Sequence, residues 1–123
     1  MKKEMSCLSE MCLYEFVRYI SDKKIFCFGC GIQGKRMAGI LYNWGIQNNL
    51  VAYIDNDEKK IGSEYICDGK AFKIVSIKEA IKCDDGNSII LITAIDYRSI
   101  YNQLSVYGYD MQRCISIDEI ARN

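Results

Sequence analysis

Six consecutive residues constrain this chain more than any others: Gly29-Cys30-Gly31-Ile32-Gln33-Gly34. They read G-x-G-x-x-G. Directly before them lies the apolar run Ile25-Phe26-Cys27-Phe28, and directly after them Met37, Ile40, Leu41 and Trp44 recur at helical spacing. A short continuous apolar run suits a strand buried on both faces. Steps of three and four suit a helix over 33–44 that Gly45 stops. A second apolar run, Leu50-Val51-Ala52-Tyr53-Ile54, ends abruptly in Asp55-Asn56-Asp57, residues that favour turns. Strand, glycine loop, helix and strand in this order predict a right-handed βαβ unit with parallel strands, because a crossover helix separates them.

The remaining pattern extends that unit. Met5, Leu8, Cys12, Phe16 and Ile20 predict an amphipathic helix over 5–20. After the second strand comes a stretch read as irregular, with Gly62 and Asp68-Gly69, and then a short strand over 71–75. Ser76 and Glu79 have capping-box spacing and open a short helix to Lys82. The most hydrophobic strand covers 88–93, a helix marked by Tyr97, Ile100, Tyr101 and Leu104 stops near Gly108, and a last strand covers 114–117. Asp96 reads as the N-cap of that helix, and Ser116 and Glu119 repeat the capping-box spacing before the terminus. The expectation is one domain over residues 1–123, with an N-terminal helix in 1–20 and a core over 24–120. Its fold class is α/β, a three-layer, Rossmann-like, doubly wound unit. The mostly parallel sheet runs in the order 3-2-1-4-5, with residues 25–28 central and the short third strand, 71–75, at an edge.

Composition removes several function classes. Sixteen Lys and Arg balance sixteen Asp and Glu, so the chain lacks the positive field that nucleic-acid binding draws on. Its longest apolar stretch, over 89–95, is far short of the roughly 20 residues that span a bilayer, and no secretory signal stands at the amino terminus. A cytoplasmic location with no membrane span follows as an expectation. The absence of histidine excludes His-assisted nucleophiles, His general bases and His-containing metal sites within this chain. Seven cysteines without repeated paired spacing read mainly as buried free thiols. Cys27 and Cys30 alone match the spacing of a redox pair, in which the helix terminus would lower the pKa of Cys30. No catalytic residue and no metal ligand is assigned.

The glycine loop supplies a binding chemistry. Gly29 permits the tight turn, Gly31 lets backbone approach a phosphate, and Gly34 allows close packing of helix on sheet. Phosphate oxygens would meet free N–H groups at the positive end of the helix dipole, contributed by Cys30, Ile32 and Gln33 as well as the glycines. Asp55 lies 21 positions beyond Gly34, where an acidic residue at the end of the second strand accepts hydrogen bonds from ribose hydroxyls. Asp55 also suits a simple Asx turn. Asn56 sits beside it, and the small residues Thr93 and Ala94 end the fourth strand at the crevice where open α/β sheets bind ligands. Lys35 and Arg36 are further candidates for a phosphate, whereas the charged residues over 55–60 read as a solvated loop.

The chain resembles the small Rossmann-like modules of bacterial surface-polysaccharide biosynthesis. These include the amino-terminal nucleotide-sugar-binding domain of sugar acyltransferases that carry hexapeptide repeats. The resemblance covers residues 24–120 and rests on the run from Phe26 to Gly34, on Val51-Ala52-Tyr53-Ile54-Asp55-Asn56-Asp57, on Lys60-Ile61-Gly62 and on Lys73-Ile74-Val75-Ser76. It implies that Gly29, Gly31 and Gly34 receive a diphosphate and that Asp55 and Asn56 hold the ribose or base. Members of that family usually carry a downstream catalytic domain, whereas this chain stops after the nucleotide-binding unit, so a catalytic partner protein or a missing domain is implied. The Tyr-x-x-x-Lys pair of short-chain dehydrogenases is also missing: Tyr101 follows Tyr97 at that spacing, and Ser105 follows Tyr101. The leading expectation is a nucleotide or nucleotide-sugar binding module. The alternatives are an NAD(H)-binding domain of an oxidoreductase or redox-sensing regulator, an S-adenosylmethionine enzyme, and a ligand-free association module, and a homo-oligomer is left open.

Overall fold

The computed structural model describes residues 13–94 and 96–117. Within them the chain is α/β, with a six-stranded, mostly parallel sheet and helices. The strands are β1 (Lys24–Phe28), β2 (Leu50–Ile54), β3 (Glu64–Cys67), β4 (Lys70–Val75), β5 (Ser88–Ile92) and β6 (Cys114–Ser116). The helices are α1 (Leu13–Ile20), α2 (Ile32–Asn43), α3 (Ile77–Lys82) and α4 (Tyr97–Val106). The start of the helix expected over 5–20 lies outside the described residues, as does Glu119 of the second capping box. Ser116 Oγ is buried without a hydrogen-bond partner among the described residues. No described helix is long and apolar enough to cross a membrane.

The two apolar runs that flank the glycine loop pair with one another. β1 lies between β2 and β5, parallel to both, with Phe28 opposite Ile54 on one side and Ile92 on the other. Successive side chains of a strand point to opposite faces, and two apolar cores form accordingly. Ile25 and Cys27 of β1, with Ile89 and Leu91 of β5, meet Phe16 and Ile20 of α1 and Met37, Ala38 and Leu41 of α2. Phe26 and Phe28, with Ile90 and Ile92, meet Ile77 and Ala80 of α3 and Ile100 and Leu104 of α4. Both faces of the central strands are thus dry, which is why these strands read as unbroken hydrophobic runs.

The expected order 3-2-1-4-5 is corrected to β3-β4-β2-β1-β5-β6. The stretch read as irregular contains a strand: β3 pairs antiparallel with β4, Cys67 opposite Lys70, across a two-residue turn. Asp68 and Gly69 make that turn with φ of 52° and 79°, the left-handed values that suit a tight hairpin. The segment over 71–75 is therefore not an edge; β3 covers it. Val51 is a second departure, because the β1–β2 register shifts between Ile25 and Phe26 and Val51 is left exposed. Asp96 occupies the N-cap position of α4, but its side chain makes no capping bond. Ser76 does cap α3, accepting from Glu79 N at 3.2 Å.

Candidate functional site

The loop between β1 and α2 is held from three sides. Gly29 N donates to Ile54 O at 2.7 Å and Thr93 N to Phe28 O at 3.1 Å, so the carboxyl ends of β1, β2 and β5 converge there. The Thr93 hydroxyl shares its hydrogen between Phe28 O (3.1 Å) and Gly29 O (3.3 Å). From the first core, the buried Tyr53 hydroxyl donates to Gly34 O at 2.6 Å, fastening the first turn of α2 to β2. Tyr53 is a positioning residue that its place in an apolar run concealed.

The three glycines differ physically. Gly29 has φ of +106°, a conformation that L side chains rarely adopt, and a Cβ there would come within 3.1 Å of Thr93 Oγ1. A Cβ on Gly34 would fall 1.7 Å from Gly29 O, a contact no side chain can make, so this glycine sets the approach of helix to sheet. Gly31 is under neither demand. Its φ of −99° suits any residue, and a Cβ there meets nothing within 4 Å. Gly31 is nonetheless the N-cap of α2, and no side chain caps that helix.

A cleft of about 540 Å³ opens over this helix terminus. Of the residues singled out from the sequence, Gly29, Gly31, Ile32, Gln33, Gly34, Asp55, Asn56, Thr93 and Ala94 all line it. Ile32 is 78% exposed and, with Phe28, Ala94 and Ile100, gives the cleft an apolar wall. Cys30 does not line it; its side chain is buried, and only its backbone takes part in the loop contacts. Lys35 and Arg36 do not line it either, and Lys35 Nζ lies 5.4 Å from the centre of the Tyr65 ring. Phe28, Lys60 and Ile100 were missed. Phe28 and Ile100 carried only core signals, and Lys60 stood in a loop read as solvated.

Asp55 ties the second strand to the glycine loop. Its Oδ2 accepts from Cys30 N at 2.8 Å, and its Oδ1 accepts from Asp57 N at 2.9 Å, the Asx turn that its position allowed. Lys60 Nζ donates to Cys30 O at 3.1 Å and stands 4.0 Å from Asp55 Oδ2. Asn56 Nδ2 donates to Gln103 Oε1 of α4 at 2.9 Å, joining the loop after β2 to α4.

Both cysteines of the candidate redox pair sit in apolar surroundings. Cys27 and Cys30 are free thiols. Burial pushes the Cys27 thiol up to about 12. Burial also raises the Cys30 thiol, against the opposing pull of Lys35 and Lys60, the opposite direction to the lowering expected from the sequence. Compared with known proteins, the chain matches no family model and no curated protein.

Proposed function

We propose that the chain is a nucleotide or nucleotide-sugar binding module with a Rossmann-like, doubly wound core, serving cell-surface polysaccharide biosynthesis. Gly31 is the observation that carries this reading. A helix N-cap is most often Ser, Thr, Asp or Asn, whose side-chain oxygen takes up one of the first N–H groups, whereas glycine costs only roughly a few tenths of a kcal/mol there and leaves those groups open. Here that position holds a glycine that neither backbone strain nor crowding requires. The vacant side-chain position faces the cleft and leaves the first N–H groups of α2 for an external acceptor. A diphosphate supplies such acceptors. Asp55 uses two of its four lone-pair sites on backbone N–H groups, which leaves acceptors for ribose hydroxyls, and the apolar wall at Ile32 and Ile100 suits the face of a base. Chemistry on the bound sugar is assigned to a partner protein or a further domain.

A thermal-shift panel of UDP-, GDP- and CDP-sugars, NAD and S-adenosylmethionine tests this. A nucleotide-sugar at 100 times its dissociation constant is expected to stabilise the fold by roughly 2.7 kcal/mol. A response to NAD alone would move the protein to the oxidoreductase class. No response at millimolar concentration to any of them would remove the nucleotide reading.

A further inference from the structure

We propose that Lys60 sets the charge specificity of the cleft, selecting nucleotides that carry a diphosphate over uncharged nucleosides; this rests on the nucleotide-binding reading above. The cleft poses an electrostatic conflict. The amino terminus of α2 attracts an anion, yet the Asp55 carboxylate already holds Cys30 N at 2.8 Å on the same loop, where it repels a phosphate. Among the described residues that line the cleft, Asp55 is the only anion and Lys60 the only cation. Lys60 Nζ lies 4.0 Å from Asp55 Oδ2, with its side chain 40% exposed, close enough to offset that repulsion. The Cys30 carbonyl takes one of its donors, and an ammonium has three, so the group is tethered beside the loop with capacity to spare. Lys35, the nearest alternative in sequence, is engaged with Tyr65. A phosphate on the α2 terminus thus meets a carboxylate whose charge is offset and an ammonium with donors to spare, whereas a nucleoside, which reaches Asp55 through its ribose, has no phosphate for the ammonium to hold.

The test is calorimetric titration of the full chain, parent and the Lys60→Met and Lys60→Arg variants, with ADP, UDP, GDP and CDP and with the four nucleosides, at low and high salt. Whichever diphosphate the parent binds is expected to bind Lys60→Met about ten- to a hundredfold more weakly, the range for losing a charge-assisted hydrogen bond. The nucleosides change little, and Lys60→Arg retains most of the parent affinity. Where a nucleoside binds too weakly to titrate, the salt dependence of diphosphate binding, steeper in the parent than in Lys60→Met, reads the same charge. Circular dichroism and Tm establish that the variants fold. A Lys60→Met protein whose diphosphate affinity and salt dependence equal the parent's, or whose nucleoside affinity falls in the same proportion, would overturn the assignment and leave Lys60 a tether of the loop. A parent that binds no diphosphate would overturn the nucleotide reading itself, and Lys60's role with it.

Discussion

At the scale of single residues, two glycines three positions apart have opposite reasons to exist. Gly34 is demanded by the fold, since any Cβ would collide with Gly29 O at 1.7 Å. Relief requires the helix terminus to move off the strand or the loop to rebuild. Gly34→Ala is expected to cost about 1–3 kcal/mol in urea unfolding, the range for overpacking a dense interior. Gly31→Val fills open space, so its stability should stay within about 1 kcal/mol of the parent while nucleotide affinity, read by the same ligand panel, is lost. A Gly31→Val protein that binds as the parent does would show that the open position serves no ligand. Asp55 illustrates a limit of sequence reading at this scale. Its spacing from the glycines suits a ribose contact, and its neighbours suit an Asx turn. The structure adds a third partner, Cys30 N, that local spacing does not announce.

At the scale of elements, local signals and pairing signals fared differently. The Ser76 and Glu79 spacing marked the start of α3, and Ser76 Oγ accepts from Glu79 N there. Because α3 has only six residues, too short to be stable by propensity alone, its cap and its two buried residues, Ile77 and Ala80, must supply much of its order. Ser76→Ala is expected to lower the unfolding free energy by about 1 kcal/mol and to raise hydrogen exchange across 77–82 more than elsewhere. Uniform exchange throughout the chain would argue that the cap is incidental. The β3–β4 hairpin carries an equally local signal in Asp68-Gly69, one of the turn pairs that most favour tight hairpins. The pairing is hidden in the sequence because its flanks, Glu64–Cys67 and Lys70–Val75, are interrupted by Glu64, Lys70 and Lys73 and lack the unbroken hydrophobic runs of the central strands. An outer hairpin keeps one face wet, and its burial alternates accordingly.

At the scale of the whole molecule, the end of the sheet opposite the cleft is closed by a polar cluster. Arg113 makes a two-pronged contact with Asp84, Nη1 to Oδ1 at 3.1 Å and Nη2 to Oδ2 at 2.7 Å. The Ser88 hydroxyl donates to Asp84 Oδ1 at 2.6 Å, and the guanidinium carbon lies 4.6 Å from the centre of the Tyr109 ring. Arg113, with its hydrogen bonds to Asp84, holds that carboxyl well below the usual carboxylate range. A carboxylate whose pKa is lower folded than unfolded stabilises the fold above its ordinary value, 3.8, and loses that contribution as pH falls through the folded value. Asp84→Ala should therefore cost about 1.5–3 kcal/mol at pH 7, and the gap between parent and variant, followed by urea unfolding, should narrow as the pH drops below about 4. A gap independent of pH would mean that Asp84 contributes packing rather than charge.

The residues themselves determine the strand, loop and helix around Gly29–Gly34, the interior place of β1, and two dry faces filled by alternate side chains, because periodicity and turn chemistry act over a few neighbours. Tertiary structure alone decides that β3 covers β4, that Val51 falls out of register, that Lys60 turns from its loop to the Cys30 carbonyl, and that Asp84 finds Arg113 across 29 positions. Each of these depends on which distant backbone comes within about 3 Å of a side chain. That distance is set by how both cores pack together, and no short window of sequence contains both partners.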